Sequence, residues 1–276
     1  MGFERPKELA QAIALLRASP RTILAGGTDL FPATTKQTLA GDILDISGIQ
    51  DLRRISKSTS HVKIGSATTW SEIIGADLPA SFDALKESAR EIGSIQIQNS
   101  GTIGGNLCNA SPAADGVPPL LVLDAEVELA SAKGLRRLPL SKFILGNRKT
   151  ALEAGEVLTA VLIPNEALSG RSHFVKLGAR KHLVISIAMA VARLHVCEGR
   201  IKSAAISVGS CSEVAVRLPD LEEALLGLPA SDALGAVNQT FLTPALSPID
   251  DIRADKGYRI HAAVELVRRA TSGVAQ

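Results

Sequence analysis

Two glycine pairs are the places where this chain's residue types and spacing could do chemistry: Ala25-Gly26-Gly27-Thr28-Asp29 and Thr102-Ile103-Gly104-Gly105-Asn106. Paired glycines permit positive φ and remove Cβ atoms, so a ligand can lie against bare backbone N–H groups. A hydroxyl residue stands beside each pair. One such turn is commonplace; two of them suggest a diphosphate gripped from two sides. The run Ile23-Leu24-Ala25-Gly26-Gly27-Thr28-Asp29-Leu30 reads as strand, turn and helix start, where free N–H groups and the helix dipole attract phosphate. A purely structural turn accounts for the same residues equally well. The run is not Gly-x-Gly-x-x-Gly and no Gly-Lys-Ser/Thr follows, so neither the dinucleotide fingerprint nor the P-loop is supported. The second segment packs Gly101, Gly104 and Gly105 into five residues ahead of Asn106. That makes a poor core strand, and a ligand loop is the better reading.

Residues downstream each admit two roles. Asp115, in a run of alanines, either accepts hydrogen bonds from a ribose or adenine or caps the short element over 116–123. Ser111 either bonds a ligand oxygen or stabilises the turn before Pro112. Lys176, in mid-strand, is either solvated or lies beside an electron-rich ring or its ribityl chain. The five histidines show no metal-ligand spacing. Cys108, Cys197 and Cys211 are odd in number, with no Cys-x-x-Cys pair, so no zinc site or iron–sulfur cluster is encoded here. No nucleophile elbow and no acid–base carboxylate pair stands out. A chain without reactive groups of its own points to a bound cofactor that does the work.

The elements that would hold these residues follow from periodicity. Residues 6–18 read as an amphipathic helix, 22–25 as a strand entering the first glycine turn, and 30–36 as the helix after it. Strands are expected at 42–46 and 62–64, and helices at 69–74 and 82–91. Residues 101–115 show neither period and read as a long functional loop. A short apolar element at 120–123 and strands at 126–130 and 157–163 complete an α+β half. The polar stretch 165–172 is the boundary, dividing a domain over 1–165 (subdomains about 1–53 and 54–165) from one over 166–276. Beyond it, 174–177, 185–194 and 201–208 read as a strand meander with a hairpin turn at Gly199-Arg200. Helices are expected at 218–226, 232–241 and 255–271.

Bulk composition narrows the function classes. Across 276 residues, 46% are hydrophobic and 21% charged, the profile of a chain with a real core. A formal charge of +2, from 30 basic and 28 acidic residues well interspersed, gives no case for nucleic acid or a membrane surface. The longest apolar run falls far short of the ~20 residues that span a bilayer. No secretory signal pattern opens the sequence, and a reducing cytoplasmic compartment is expected.

Four stretches in order, AGGTDL, NSGTIGGNLCNASPAAD, FVKLGARKHLVISIAMAVA and DIRADKGYRIHAAVELVRRA, resemble the FAD-binding medium subunit of molybdenum hydroxylases over essentially the whole chain. That family includes the flavoprotein subunits of carbon monoxide dehydrogenase and of xanthine dehydrogenase-type enzymes. The resemblance implies a two-subdomain FAD-binding fold of the vanillyl-alcohol-oxidase (PCMH) type, then a C-terminal domain with a three-stranded antiparallel sheet and helices. It implies that Ile23, Leu24, Ala25, Gly26, Gly27, Thr28, Asp29 and Leu30, with Thr102, Ile103, Gly104, Gly105 and Asn106, line the diphosphate and ribityl region. Ser111 and Asp115 match nucleotide-binding positions, Leu158 the apolar residue against the isoalloxazine, and Lys176 the basic residue nearby. Ile92 stands where some relatives place an aromatic residue, and Ser100 where relatives commonly have a basic one. The implied partners are a large subunit with a molybdenum cofactor, a small subunit with two [2Fe–2S] clusters, and an electron acceptor such as NAD, dioxygen or quinone. A dimer of heterotrimers is the implied assembly. The rival readings are a self-sufficient flavin oxidase or reductase of the same fold and a flavin-free scaffold.

Overall fold

Short apolar triplets build the first sheet of the structure, a computed structural model that describes residues 2–35 and 38–275. In it β1 (Phe3–Glu4) and β2 (Thr22–Leu24) flank β3 (Ile43–Asp45), and both pairings are parallel. Helix α1 (Leu9–Ala18) lays Ala12, Leu15 and Leu16 over Leu44, Ile46, Ile49 and Leu52, a small core of its own. The helix expected at 30–36 is not formed in the described part. Residues 28–33 make successive turns instead, with the N–H groups of Phe31 and Ala33 bonded to the carbonyls of Gly27 and Asp29, each at 3.1 Å. Pro32 has no N–H to give, so the ladder breaks after a single turn. Lys36, the end of that expected helix, lies outside the described residues.

The second sheet comprises β4 (Ile55–Lys57), β5 (His61–Gly65), β6 (Glu126–Ser131), β7 (Gly134–Pro139) and β10 (Val157–Pro164). It is antiparallel throughout, in the order β4-β5-β10-β6-β7. The middle strand β10 is buried from Val157 to Ile163; Thr159 alone breaks its apolar run, and its hydroxyl donates to the Glu128 carbonyl at 3.0 Å. Five short helices fill the connection from β5 to β6: α2 (Trp70–Gly75), α3 (Asp83–Glu91), α4 (Ile95–Ser100), α5 (Ile103–Asn109) and α6 (Val117–Val122). Thr69 and Glu72 form a capping box that starts α2. Helix α5 corrects the expected loop over 101–115. Thr102 caps it by accepting the Gly105 N–H at 3.0 Å, and Ala110 ends it at φ 45°. Pro118 and Pro119 sit in the first turn of α6, where no N–H is needed. A short α7 (Leu140–Phe143) and a hairpin of β8 (Ile144–Gly146) and β9 (Lys149–Thr150) precede β10.

The C-terminal sheet has four strands, not three: β11 (Arg171–Leu177), β12 (Ala188–Cys197), β13 (Arg200–Gly209) and a two-residue β14 (Val216–Arg217), in that order. The hairpin between β12 and β13 turns through Glu198 and Gly199, both at positive φ (51° and 71°), the twist that two-residue hairpin loops require. Behind the sheet lie α8 (Pro219–Leu225), α9 (Ala233–Ala236), α10 (Gln239–Leu242) and α11 (Lys256–Ser272). The single helix expected at 232–241 is split into α9 and α10, because the Asn238 side chain accepts the Thr240 N–H and caps a new helix.

A seam joins this sheet to the first half. Phe174, Met189, Val191 and Ala205 pack on Ala84 and Val122. Two arginines finish α6 from across the seam. Arg193 donates to the Val122 carbonyl at 2.7 Å, Arg217 to that of Leu121 at 2.8 Å, and both reach Asp124. The last carbonyls of a helix lack partners within it; the Leu121 carbonyl also accepts the Asp124 N–H at 3.1 Å, whereas that of Val122 is closed from the other half of the chain.

Candidate functional site

A cavity of about 800 Å³ opens between the first sheet and the helix-bearing face of the second. All eight residues from Ile23 to Leu30 line it, with Thr102, Gly104, Gly105 and Asn106 from the second segment, and with Ser111 and Leu158. Ile103 does not. Its side chain points the other way and is fully buried in the core of the second sheet, since successive positions of a helix face different sides.

The first glycine pair leaves its backbone unsatisfied. Among the described residues, no N–H from Gly26 to Leu30 finds an acceptor in the chain. Gly27 has φ 71°. A Cβ on Gly26 would come within 1.9 Å of the Ser100 carbonyl oxygen, so only glycine lets this loop press against the end of α4. Five donors therefore converge on a cavity wall, where an anion can take up what the fold leaves unpaired.

The second pair is different. Ile103 donates to Thr68, Gly104 to Ser66 at 2.8 Å, Gly105 to the Thr102 hydroxyl and Asn106 to the Thr102 carbonyl. Every N–H of that first turn is spent within the protein, which corrects the expectation of a donor grip from this side. Its glycines serve close packing: a Cβ on Gly104 would lie 2.7 Å from the Ser66 carbonyl oxygen. What this wall offers is acceptors. Asn106 Oδ1 and Ser66 Oγ are buried without a partner in the chain. The two motifs also touch, through Asn109 Nδ2 donating to Asp29 Oδ1 at 2.9 Å.

The remainder of the wall is apolar. Ile92, Ile97, Leu152, Val157, Leu158 and Ile185 line it, and the indole of Trp70, only 1% exposed, backs it. Ile92 does stand at the cavity. Trp70 and Arg148 were not legible as site residues, one being a lone aromatic and the other lying in a weak hairpin. Asp29 and Arg148 are the charged residues among those lining the cavity.

Asp115 and Lys176 lie outside this cavity and bond to each other, Nζ to Oδ2 at 2.6 Å. Ser186 donates to the other carboxylate oxygen at 2.5 Å. Burial pushes the Asp115 carboxyl pKa up, against the pull of the Lys176 ammonium and the two hydrogen bonds. Asp115 caps nothing, because α6 begins at Gly116 without a side-chain cap. Nor is Lys176 solvated; its side chain is 8% exposed. It lines instead a second hollow of about 630 Å³, at the edge of β11 beside Arg90 and Lys181. This buried trio ties both ends of the 177–187 connection to the first half and so places Ile185 on the main cavity.

The dinucleotide implied by the sequence fits these features. Free N–H groups at Gly26–Leu30 suit a diphosphate, the orphaned Asn106 and Ser66 oxygens suit hydroxyl or amide donors, and the apolar wall suits a fused ring. Among the described residues, no group of three or more His, Cys, Asp or Glu side chains could hold a metal ion. No helix among them is long and apolar enough to cross a membrane.

Comparison with known proteins bears on the same cavity. Residues 1–166 match the family model described as the FAD binding domain in molybdopterin dehydrogenase, and residues 173–274 match the CO dehydrogenase flavoprotein C-terminal domain. The chain is 35% identical to the nicotinate dehydrogenase FAD-subunit of Eubacterium barkeri, over 82% of this chain and 80% of that one. It is 30% identical to a putative xanthine dehydrogenase FAD-binding subunit of Escherichia coli (strain K12), over 98% and 94%. The fold superposes on a chain of reconstituted CO dehydrogenase from Oligotropha carboxidovorans with a TM-score of 0.91, at 31% identity, over 100% and 97% of the two chains. With a phosphate-ready loop, an apolar ring-sized wall and both family models matched in order, the chain belongs to the FAD-binding medium subunits of the molybdenum hydroxylases, a family of oxidoreductases with FAD as cofactor.

Proposed function

We propose that this chain relays electrons, taking them from the [2Fe–2S] clusters of a small partner subunit and passing them, with FAD as carrier, to an external acceptor. The observation behind this reading is the pairing of five unsatisfied backbone donors with a largely apolar wall whose only charged side chains, among the described residues, are one Asp and one Arg. A cavity so lined can bind and orient: among the described residues of its wall Asp29 is joined by no histidine or second carboxylate, and burial pushes the Cys108 thiol up to about 12. Bound FAD supplies the one- and two-electron redox chemistry that side chains lack.

In this reading Ile23–Leu30 holds the diphosphate, and Thr102, Gly104, Gly105, Asn106 and Ser111 shape the ribityl and nucleotide side. Leu158 and Ile92 exclude water from the ring. Asp115 and Lys176 act behind the wall, fixing the loop that carries Ile185. The two halves of the cradle correspond to about 1–53 and 54–165 in a vanillyl-alcohol-oxidase-type arrangement, with a further domain over 166–276. The ends of the two matched family models support the limit near 165. Substrate hydroxylation belongs to a large subunit with a molybdenum cofactor, in a cytoplasmic dimer of heterotrimers. The acceptor is NAD, dioxygen or a quinone.

Purification with both partner subunits tests the reading. Reducing the iron–sulfur clusters should bleach the visible flavin absorbance in a complex with this chain, and a Gly26→Ala chain should leave the clusters reduced. Oxidation of a small organic substrate by this chain alone would favour the self-sufficient oxidase instead.

A further inference from the structure

Arg148 sits in the turn between β8 and β9 at φ 57°, an uncommon conformation for a side chain of this size. Its N–H donates to the Ala110 carbonyl at 2.9 Å, which ties the turn to the end of α5. Its guanidinium reaches the Asn109 carbonyl at 3.4 Å, and no carboxylate of the described residues forms an ion pair with it. Glu213 approaches the same hairpin but accepts from the Asn147 N–H. Asp29, the acid on the cavity wall, is occupied by Asn109. A cation is thus held at the cavity by a backbone posed for it, with most of its N–H donors unused.

The free amides at Gly26–Leu30 can hydrogen-bond phosphate oxygens but neutralise no formal charge. A diphosphate beside Asp29 therefore needs a counter-charge, and Arg148 is the one basic residue on the wall among the described residues. Arg148 and the Gly26–Leu30 loop are linked through a single residue, since Asn109 bonds Asp29 with its side chain and Arg148 with its carbonyl. A guanidinium also matches two phosphate oxygens at once. We infer that Arg148 is the charge partner of the cofactor's diphosphate, a binding role that rests on the FAD reading above.

The test uses the full-length chain stripped of flavin, with Arg148→Met and Arg148→Lys, titrated with FAD, ADP, adenosine and riboflavin at low and high salt. Arg148→Met should weaken FAD and ADP about ten- to hundredfold, the worth of a hydrogen bond to a charged group, and flatten their salt dependence. Riboflavin and adenosine should bind it as they bind the wild type, and Arg148→Lys should fall between. FAD affinity unchanged in Arg148→Met overturns the inference while leaving the FAD reading intact. So does an equal loss for adenosine and ADP, which marks ring stacking, or an equal loss for riboflavin, which marks damage to the cavity. A wild-type chain that takes up no FAD removes both.

Discussion

At Gly26-Gly27 the chain leaves a strand, turns through positive φ and shows five unpaired N–H groups to a cavity. At Gly104-Gly105 it enters a helix whose first N–H groups are all taken by Ser66, Thr68 and Thr102. Both segments read as small-polar glycine turns, yet one contributes donors and the other contributes thinness. The helix glycines let α5 lie against the Ser66 backbone, and that contact sets Asn106 and Ser66 in the cavity lining. A glycine pair is evidence of close approach; whether a ligand or the protein itself does the approaching depends on where the neighbouring hydrogen bonds go.

Substitutions can separate the two roles. The largest effect is expected from Gly26→Ala, whose Cβ would meet the Ser100 carbonyl oxygen at 1.9 Å, a backbone atom that cannot step aside. A loss of about 3 kcal/mol or more in urea unfolding, with no flavin retained, is expected. Unaltered stability would mean that the first loop does not press on α4. Next comes removal of FAD from the intact chain. Amide exchange at Gly26–Leu30 should quicken about 10- to 100-fold while Ile103–Asn106 stays as it was. Equal change in both segments would erase the distinction.

Third, Gly104→Ala should cost about 1–3 kcal/mol of stability, because Ser66 backbone lies 2.7 Å from the new Cβ. Gly27→Ala meets the edge of the Phe31 ring, Leu24 Cδ1 at 3.3 Å and the strain of φ 71°, about 1–2 kcal/mol. Its loss should appear chiefly as faster flavin release, measured by fluorescence recovery. The smallest contrast pairs two threonines. Thr102→Ala removes the α5 cap and should lower stability by about 1 kcal/mol. Thr28→Ala breaks no hydrogen bond among the described residues and should alter flavin affinity with little change in melting temperature. The reverse outcome would swap the assignments.

The legible parts of the sequence were those where one local signal decides. Gly199 marked the hairpin between β12 and β13, although the turn forms at Glu198-Gly199 rather than Gly199-Arg200, and Asp255 marked the start of α11. Strand β7 was missed because GLRRLP is charged and half exposed, an edge strand whose pairing comes from β6 rather than from its own pattern. Helix α5 was missed because two glycines suppress helix propensity; the Thr102 cap and contacts with Ser66 override it. At the site, chemistry encoded in neighbouring residues could be read and chemistry assembled at a distance could not. Gly26–Leu30 is a local signal. The Asp115–Lys176–Ser186 trio spans 71 positions and nothing at any one of them announces the others.

The arginines that complete α6 bear on how such a chain can be inherited. Sequence comparison divides it cleanly, one family model ending at residue 166 and the next starting at 173. Physically the cut is not clean, because the Val122 carbonyl is closed by Arg193 from beyond it and Asp124 is held by Arg193 and Arg217. A foreign second half would have to bring a donor to the Val122 carbonyl and a cation to Asp124, or leave both without the partners they have here. The two modules are separable as text and joined as matter.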